Sequence, residues 1–341
     1  MKSLIYGYGI TGKSFERYLI KKNIDFDIYD INISDYSSNK DFSKYKKIYC
    51  SPGIPREEFK SLKKTNEVLT DMDIFFKEDK SVKIGITGTN RKSTTCFHLF
   101  QLISQIDSTN LIGNIGNPVL DEINNGKKYS IIELSSFQLD KMSKNFLDYG
   151  ILLNIAPDHL NYHNSFEKYK AAKEKILQAK HSSHESDPYY LFEWITGKKS
   201  KKLELQNLPF RFEFVRKNVI NDSKSTNSNS LFYAIKEANF FFHENNYTLI
   251  MCGDPSKELY TKINIKGPRE VIVFGNHRDE IQKCLTHKRV QLFSSLKESL
   301  IYLKDTENIL FSPGYPSGKD YKNFEERGAH FNLTVKEVLD D

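Results

Sequence analysis

The stretch from Gly85 to Thr95 combines glycine, lysine and hydroxyl residues in an order that suits phosphate binding. It reads GITGTNRKSTT, in which a Gly-Thr-Asn turn precedes Lys92, Ser93 and Thr94. The backbone amides of such a turn and the helix that follows point toward phosphate oxygens, while the lysine reaches the terminal phosphates and the serine ligates Mg²⁺. The predicted ATP site comprises Gly88, Thr89, Asn90, Arg91, Lys92, Ser93 and Thr94.

Arg91 departs from the usual phosphate loop, which keeps glycine directly before its lysine. Glycine serves there either because φ is positive or because the backbone must approach the ligand closely. Arginine resists the first requirement at a cost of roughly 1 to 2 kcal/mol, but it meets the second when its side chain points away. Because this cost is bearable, we predict that ATP binding is retained, with the Arg91 guanidinium in solvent or near the polyphosphate.

Polar residues also follow two apolar segments downstream of this loop. Glu133 closes the segment YSIIE, and Asp158 and His159 follow LLNIA. Ligands of open α/β sheets gather outside the carboxyl ends of the strands, so Glu133, His159 and Ser93 are predicted to share one Mg²⁺–ATP site. Structural roles stay open for each residue, since Glu133 could pair with a lysine and Asp158-His159 could open a helix.

The elements that must position these residues alternate between strands and helices along the chain. Apolar segments such as SLIYGYG, FDIYD, VKIGITG, YTLIMCG and EVIVFG are separated by turns and helical patterns, which is typical of parallel α/β sheets. Asn164 and Glu167 are placed as a capping pair for the helix SFEKYKAAKEKILQA. We predict three α/β domains in series, at residues 1–79, 80–208 and 209–341.

Composition excludes several classes of protein. With 341 residues and 38% apolar content the chain can bury substantial cores, and its net charge of +6 comes from scattered lysines and arginines without the basic clusters of nucleic-acid-binding proteins. The four cysteines lie far apart, which favours neither disulfides nor a zinc site. Neither a membrane span nor a signal peptide is predicted, because no apolar run approaches about 18 residues and a glycine turn comes early. A cytoplasmic protein is expected.

An ordered set of motifs resembles the Mur ligase family over nearly the whole chain. The motifs are GITGTNRKST, GNIGNPVL, IIELSSFQL, NIAPDHLNYH, YKAAKEKI, RFEFV, NDSKSTN and SPGYPSGKDYKNFEERG. NDSKSTN and YKNFEERG favour the members that add D-glutamate. The resemblance implies a Rossmann-like UDP-binding domain, a P-loop ATPase-like central domain and a Rossmann-like C-terminal domain. It also implies ATP-dependent ligation of D-glutamate to UDP-N-acetylmuramoyl-L-alanine through an acyl phosphate, in peptidoglycan precursor synthesis, on which cell shape and cell division depend.

The resemblance also implies roles for residues around ATP. Lys92 offsets phosphoryl charge, and Glu133 and His159 hold Mg²⁺ beside Ser93. Lys173 matches a lysine that the family carbamylates to create an anionic group near a second Mg²⁺, although a solvent-facing helix lysine would be the ordinary interpretation. In the last domain, Arg211 and Asp222 match residues that contact the nucleotide.

Substrate contacts are implied in all three predicted domains. Gly7, Gly9 and Gly12 fit a dinucleotide fingerprint with Asp30 as its acid, but the downstream ATP loop argues against a dehydrogenase. Residues expected at uridine and its phosphates are Ile10, Thr11, Asp30, Ser51, Pro52 and Gly53. Those expected at the muramoyl-alanine part are Asn114, Ser135 and Gln138. Those expected around D-glutamate are Lys224, Thr226, Ser317 and Phe324, with Lys257 one position off the family spacing.

Two departures from the family keep other functions open. Arg91 is one, and the other is a shortened stretch before RFEFV that lacks the His-Asn-x-x-Asn segment used for adenine. Adenine recognition must therefore differ, and the central sheet is expected to lose strands and leave an edge that needs cover. The alternatives are another Mur-type or folylpolyglutamate-type amide ligase, or a degenerate nucleotide-binding protein without activity. A monomer is expected from the resemblance.

Overall fold

The computed structural model describes residues 2–38, 41–258, 260–303 and 307–339, and it divides the chain into two compact units. The first comprises residues 1–205 and the second residues 206–341. Each unit contains mainly parallel sheets flanked by helices, which confirms the predicted α/β class. In the described ranges no helix is long and apolar enough to cross a membrane.

The first sheet of unit 1 has four parallel strands in the order β2-β1-β3-β4. Its strands are β1 (Ser3–Tyr6), β2 (Phe26–Tyr29), β3 (Lys47–Cys50) and β4 (Glu67–Leu69), and its helices are α1 (Ile10–Lys21), α2 (Arg56–Thr65) and α3 (Asp71–Glu78). The turn from β1 to α1 needs glycine twice. Gly7 has a φ of +88°, and a Cβ on Gly12 would lie 2.2 Å from the Gly7 carbonyl oxygen. This close approach lets α1 begin directly above the end of β1.

The second sheet of unit 1 has five parallel strands in the order β6-β7-β5-β8-β9. The strands are β5 (Val82–Thr87), β6 (Thr109–Gly113), β7 (Tyr129–Glu133), β8 (Tyr149–Leu152) and β9 (His181–Ser183). The helices are α4 (Lys92–Ile103), α5 (Ser136–Lys141), α6 (Leu160–His163), α7 (Phe166–Glu174) and α8 (Pro188–Thr196). Strand β5 lies at the centre, and Ile86 pairs with Glu133 of β7. The loop after β5 therefore begins beside Glu133.

The N-cap of helix α7 lies one residue after the predicted cap, Asn164. Ser165 is the N-cap, and its hydroxyl accepts a hydrogen bond from the Lys168 amide at 3.2 Å. Asn164 instead ends α6 in the left-handed region with a φ of +65°. The capping pair of Asn164 and Glu167 is therefore wrong, because the short helix α6 already uses Asn164 to end.

Strand β9 forms one edge of the second sheet and is short and polar. It has three residues, of which His181 and Ser182 are exposed. Short polar edges discourage pairing with another chain. Helix α8 follows and contributes Leu191, Phe192 and Ile195 to the core on the α4 side of the sheet. The residues after the edge strand therefore cover one face of the sheet.

Unit 2 has a six-stranded sheet in the order β10-β11-β17-β12-β14-β16, in which only the β10–β11 pair is antiparallel. Its strands are β10 (Glu213–Arg216), β11 (Val219–Asn221), β12 (Thr248–Cys252), β14 (Glu270–Phe274), β16 (Val290–Phe293) and β17 (Ile309–Gly314). A two-stranded sheet joins β13 (Ile263–Asn264) and β15 (Leu285–Thr286). Its helices are α9 (Ser228–Phe242), α10 (Arg278–Cys284), α11 (Leu296–Tyr302) and α12 (Phe324–Leu339). Apolar clusters on both faces bury the sheet.

Candidate active site

The loop between β5 and α4 adopts a left-handed turn at Arg91. The φ of Arg91 is +65°, and α4 begins at the next residue, Lys92. Of the two reasons for glycine at this position, the conformational one therefore applies. Arginine bears the left-handed strain, which for an L residue is roughly 1 to 2 kcal/mol. The loop thus keeps its turn at a cost in stability.

Replacing Arg91 with glycine is expected to raise the free energy of unfolding by roughly 1 kcal/mol, because glycine adopts a positive φ without a Cβ clash. Urea unfolding followed by far-UV circular dichroism measures this change. Arg91→Ala is the matched control, since alanine removes the same side chain as glycine does and keeps the left-handed strain, so the glycine variant should be more stable than the alanine variant by roughly 1 kcal/mol. Equal stability of the glycine and alanine variants would show that residue 91 is unstrained.

Two residues absent from the predicted site hold the loop in place. The Thr89 amide donates to the backbone oxygen of Asn154 at 2.9 Å, and the Asn90 amide donates to Asn154 Oδ1 at 2.8 Å. Asn154 Nδ2 in turn donates to the Asn90 carbonyl at 3.1 Å. The hydroxyls of Thr89 and Tyr169 lie 2.9 Å apart. Asn154 opens the motif NIAPDH shortly after β8. This position after a strand is the sequence feature that could have identified it as a site residue. The loop is therefore fixed from β8 and α7.

Lys92 and Lys173 converge on one carbonyl oxygen. Lys92 Nζ donates to the carbonyls of Gly88 and Thr89 at 2.9 and 3.1 Å. Lys173 Nζ donates to the same Gly88 oxygen at 2.8 Å and to Thr87 Oγ1 at 3.2 Å. Burial, and then the charge of Lys92, lower the pKa of the Lys173 amine well below its ordinary value. An anion bound beside these two side chains would favour their charged forms.

Glu133 places a carboxylate beside the same loop. Its side chain is buried, and Oε1 accepts a hydrogen bond from Asn114 Nδ2 at 2.8 Å. Oε2 is also buried and has no hydrogen-bond partner in the described part of the chain. A buried carboxylate oxygen without a donor is costly unless a cation meets it. Glu133 is thus suited to a metal ion.

The donor set fits Mg²⁺ that arrives with a nucleotide. In the described ranges no three His, Cys, Asp or Glu side chains converge as an all-protein metal cage. Mg²⁺ is usually bound through one or two carboxylates, substrate phosphates and waters, so Glu133 with the loop residue Ser93 meets its ordinary requirement. Ser93 is buried at the first turn of α4.

His159 lies at the start of α6 in a left-handed conformation with a φ of +50°. Its Nε2 is 3.6 Å from Asp158 Oδ2, and its ring centroid is 4.9 Å from that of Phe137. Partial burial lowers the pKa of the imidazole. The neutral ring that this favours at neutral pH can offer a lone pair to a metal ion.

A cavity of about 260 Å³ brings these side chains together. Its lining residues are Lys92, Asn114, Ser135, Ser136, Phe137, Asp158, His159, Tyr169 and Lys173. Five of them, Lys92, Asn114, Ser135, His159 and Lys173, are predicted site residues, and Glu133 contacts the cavity through its bond with Asn114. Ser136 and Phe137 were missed, although both lie in the motif SSFQL.

Ser135 and Gln138 form a capping box at the start of α5. Ser135 Oγ accepts from the Gln138 amide at 3.3 Å, and Gln138 Oε1 accepts from the Ser135 amide at 2.9 Å. Gln138 is buried, whereas Ser135 is partly exposed and lines the cavity. The side-chain oxygen of Gln138 is thus engaged in capping the N-terminus of the helix.

The residues predicted to bind uridine lie at the carboxyl ends of the first sheet. Asp30 accepts from the amides of Tyr8 and Asn32 at 2.7 and 2.9 Å, and Ser51 Oγ donates to the Gly7 carbonyl at 2.7 Å. Ile10 and Thr11 begin α1, and Pro52 and Gly53 follow β3. Ile10 is 77% exposed, so its side chain is accessible to a ligand.

The remaining predicted residues lie in unit 2. Lys224 Nζ is 3.9 Å from the ring centroid of Phe324, and Asp222 accepts from the Phe212 amide and the Ser312 hydroxyl. Arg211 lies close enough to Asp222 to favour its charged form. Thr226 precedes α9 and Ser317 is buried after β17, while the side chain of Lys257 lies outside the described residues.

Arg327 holds the backbone next to Asp222 and Lys224, and sequence reasoning missed it as a candidate site residue. Its guanidinium is fully buried and donates to the Ser223 carbonyl at 2.7 Å, to Ser223 Oγ at 3.1 Å and to the Tyr315 carbonyl at 3.0 Å. Ser223 lies directly between Asp222 and Lys224. Arg327 therefore fixes the backbone that carries both.

The contribution of Asp222 to the stability of the chain is expected to fall as pH rises from about 4 to 7, because burial raises the pKa of its carboxyl to about 7. The unfolded carboxyl titrates near 3.9, so between these values the folded state holds more protons and each rise in pH favours unfolding. Asp222→Asn keeps an acceptor for the Phe212 amide and removes the titration. Urea unfolding at stepped pH should show that the unsubstituted chain loses stability relative to this variant as pH rises from about 4 to 7, and equal slopes for the two proteins would contradict the shift.

Three comparisons relate the chain to known proteins. Residues 86–239 match the family model described as Mur ligase middle domain. The chain is 29% identical over 408 aligned residues to the UDP-N-acetylmuramoylalanine–D-glutamate ligase of Petrotoga mobilis (strain DSM 10674 / SJ95), covering 95% of this chain and 91% of that protein. It is 27% identical over 405 residues to the ligase of the same name from Francisella tularensis subsp. novicida (strain U112), covering 99% and 96%.

Solved structures share the fold at lower identity. The MurF ligase from Thermotoga maritima in complex with ADP has a TM-score of 0.58 at 14% identity and covers 87% of this chain and 89% of its own. A pseudomurein peptide ligase type C from Methanothermus fervidus has a TM-score of 0.52 at 14% identity and covers 99% and 100%. These structures show the shared fold, while the family model over residues 86–239 and the named relatives relate the chain to the Mur ligases, which are ATP-dependent amide ligases.

Proposed function

We propose that the chain joins D-glutamate to UDP-N-acetylmuramoyl-L-alanine, with ATP converted to ADP and phosphate, in cytoplasmic synthesis of a peptidoglycan precursor. The observation that carries this is the convergence of Lys92, Lys173, Glu133 and His159 around one cavity next to a phosphate-type loop. The named relatives, similar over nearly the whole chain, favour D-glutamate as the amino acid.

The reaction needs two transfers. A carboxylate oxygen of the muramoyl-alanine attacks the γ-phosphorus of ATP, and ADP leaves. The neutral amine of D-glutamate then attacks the acyl carbon and the amide bond forms as the bond from this carbon to the phosphate oxygen breaks. Phosphate leaves with the former carboxylate oxygen, and the proton lost from the amine passes to phosphate or solvent. Lys92 offsets the negative charge of the phosphoryl oxygens during the first transfer, where charge stabilisation is the main contribution of the protein.

Mg²⁺ would be held by Glu133, Ser93 and His159, and when bound it would neutralise phosphate oxygens. Lys173 is the candidate for carbamylation. The neutral amine is the form that adds CO₂, and burial favours this form because it lowers the pKa of Lys173. The carbamate, formed when the amine adds CO₂ and loses one proton to solvent, would place an anion beside Glu133 and so suit a second Mg²⁺.

The rest of each substrate is assigned by position. UDP would bind where α1 and the Ser51–Gly53 turn meet, within the proposed domain 1–79, and ATP within 80–208. In 209–341, Lys224 and Phe324 lie in contact and are proposed at D-glutamate with Thr226 and Ser317. Arg211 and Asp222 are proposed at the nucleotide. The chain is proposed to act as a monomer.

Phosphate release tests this function. The purified chain is incubated with UDP-N-acetylmuramoyl-L-alanine, ATP, Mg²⁺ and each of a panel of amino acids. Release that depends on D-glutamate supports the proposed function, and release that depends on another amino acid assigns a different ligase. No release with any amino acid would indicate a nucleotide-binding protein without ligase activity.

A further inference from the structure

Two adjacent residues at the end of α5, Asp140 and Lys141, contact the segment that follows β3. Lys141 Nζ donates to the Pro52 carbonyl at 2.6 Å. Asp140 Oδ2 lies 3.0 Å from Arg56 Nε in an ion pair whose carboxylate side chain is only 7% exposed. The second sheet of unit 1 is thereby tied to the Ser51–Gly53 turn of the first. We call these two contacts the clasp.

Lys141 is an unusual choice for a purely structural contact. Its side chain is buried, with Nζ also donating to Tyr162 OH at 2.6 Å and lying 4.8 Å from the Tyr162 ring centroid. Burial lowers the pKa of its amine to about 8, so holding the charge here costs stability. The groups that face it are Cys50, Arg56, Asp140 and Tyr162. An uncharged residue could fill this space at a lower cost in stability. The presence of lysine therefore points to a role for its contact with the Pro52 carbonyl.

The other end of α5 reaches the cavity. Ser135 caps α5, and Ser136 and Phe137 begin it, and all three line the cavity. The Phe137 ring lies 4.3 Å from the Tyr162 ring and 4.9 Å from the His159 ring, measured between centroids. A continuous path of packed groups therefore leads from Pro52 through Lys141 and Tyr162 to the wall of the cavity.

We propose that Lys141 is a positioning residue that fixes the Ser51–Gly53 turn at a set distance from the cavity. The role rests on the proposed function, in which that turn holds the diphosphate of a nucleotide-linked acid whose carboxylate reacts in the cavity. One substrate must then contact both places at once. Movement of the turn by about 1 Å would misplace the carboxylate, and errors of this size can cost about 10²-fold in rate.

The kinetics of Lys141→Met distinguish a role in positioning the Ser51–Gly53 turn from a role in the stability of the fold. We expect the KM for UDP-N-acetylmuramoyl-L-alanine to rise about 10-fold, while the KM for ATP changes less than about 2-fold, because the loop at 88–94 has no part in the clasp. Lys141→Arg, which keeps a donor for the Pro52 carbonyl, should recover part of the loss. Equal increases in both KM values, or no increase for the nucleotide sugar, would overturn the role.

Lys83→Met is the matched control. Lys83 is also a buried lysine in unit 1, and its Nζ donates to the carbonyls of Asp79 and Ser81 at 2.7 and 3.0 Å, away from the clasp. Its loss should lower the urea midpoint and leave the ratio of the two KM values unchanged. A changed ratio in this control would show that the ratio reports stability and would overturn the assignment.

Hydrogen–deuterium exchange tests the clasp without any turnover. In Lys141→Met the amides of Ser51, Gly53, Ile54 and Arg56 should exchange at least about 5-fold faster, and in Lys83→Met they should not. Unchanged exchange in Lys141→Met would overturn the clasp. If the unsubstituted chain released no phosphate with any amino acid, the proposed function would fail, while this exchange result would still decide whether Lys141 fixes the turn.

Discussion

Lys92→Met is expected to lower kcat for phosphate release about 10³-fold, the largest loss predicted for any single change in this chain. Its Nζ is the group proposed to offset the charge of the transferred phosphoryl group, and removing one charge that stabilises a transition state typically costs about 10² to 10³ in rate. Methionine keeps the length of the side chain. The fold should survive, because the loop is also held by Asn154 and Tyr169.

Lys170→Met is the control for this prediction. Lys170 lies on α7 with a half-exposed side chain and pairs with Glu174 at 3.7 Å. Exposed pairs of this kind contribute only about 0 to 1 kcal/mol, so kcat and the urea midpoint should both stay near their unsubstituted values. Lys92→Met activity within about 10-fold of the unsubstituted chain would remove Lys92 from the phosphoryl transfer.

Glu133→Gln is expected to lower kcat about 10²-fold and to raise the Mg²⁺ concentration needed for half-maximal rate. The amide oxygen can still accept from Asn114 Nδ2, so the local structure is kept while the charge of the buried carboxylate is lost. A neutral ligand binds Mg²⁺ more weakly than a carboxylate does. Rates measured across a Mg²⁺ titration separate the two effects.

Glu174→Gln gives the matched control, because Glu174 is an exposed carboxylate in the same unit. Its rate and its Mg²⁺ dependence should match those of the unsubstituted chain. A Glu133→Gln variant whose Mg²⁺ dependence is unchanged would exclude Glu133 as a metal ligand, and its Oε2 would then lack a partner for another reason.

The α/β class could be predicted because strand and helix signals are local. Apolar runs such as VKIGIT and YSIIE became the central strands β5 and β7, and the order of the phosphate loop placed Lys92 at the start of α4. Rules for the carboxyl ends of parallel strands then placed Glu133 and His159 near that loop. Their functional roles stay predictions.

Contacts made across the sheet could not be read from the sequence. Asn154, which follows β8, and Tyr169, on α7, hold the phosphate loop. They lie 64 and 80 residues further along the chain than the loop residues that they contact, Asn90 and Thr89. Lys141 and Pro52 meet only because α5 packs near the end of β3. Residue type gave no sign of these pairs, because lysine and asparagine are ordinarily surface residues.

The backbone conformation of Arg91 could not be predicted from its residue type. Its type allowed either a left-handed backbone or a side chain turned away from the ligand, and only the φ of +65° decides between them. Ser135 and Gln138 show the reverse case, since their spacing is a capping signal and both were assigned to substrate from the family resemblance. In Ser135 the two roles coexist, because the residue caps α5 and also lines the cavity.

The central claim is that a carboxylate becomes an acyl phosphate in the cavity beside Lys92 and Lys173. The most direct test uses UDP-N-acetylmuramoyl-L-alanine in which both carboxylate oxygens are ¹⁸O, with ATP, Mg²⁺ and D-glutamate, followed by mass spectrometry of the released phosphate. We predict one ¹⁸O atom in each phosphate released with amide product. Unlabelled phosphate, or label in AMP, would contradict phosphoryl transfer to the carboxylate.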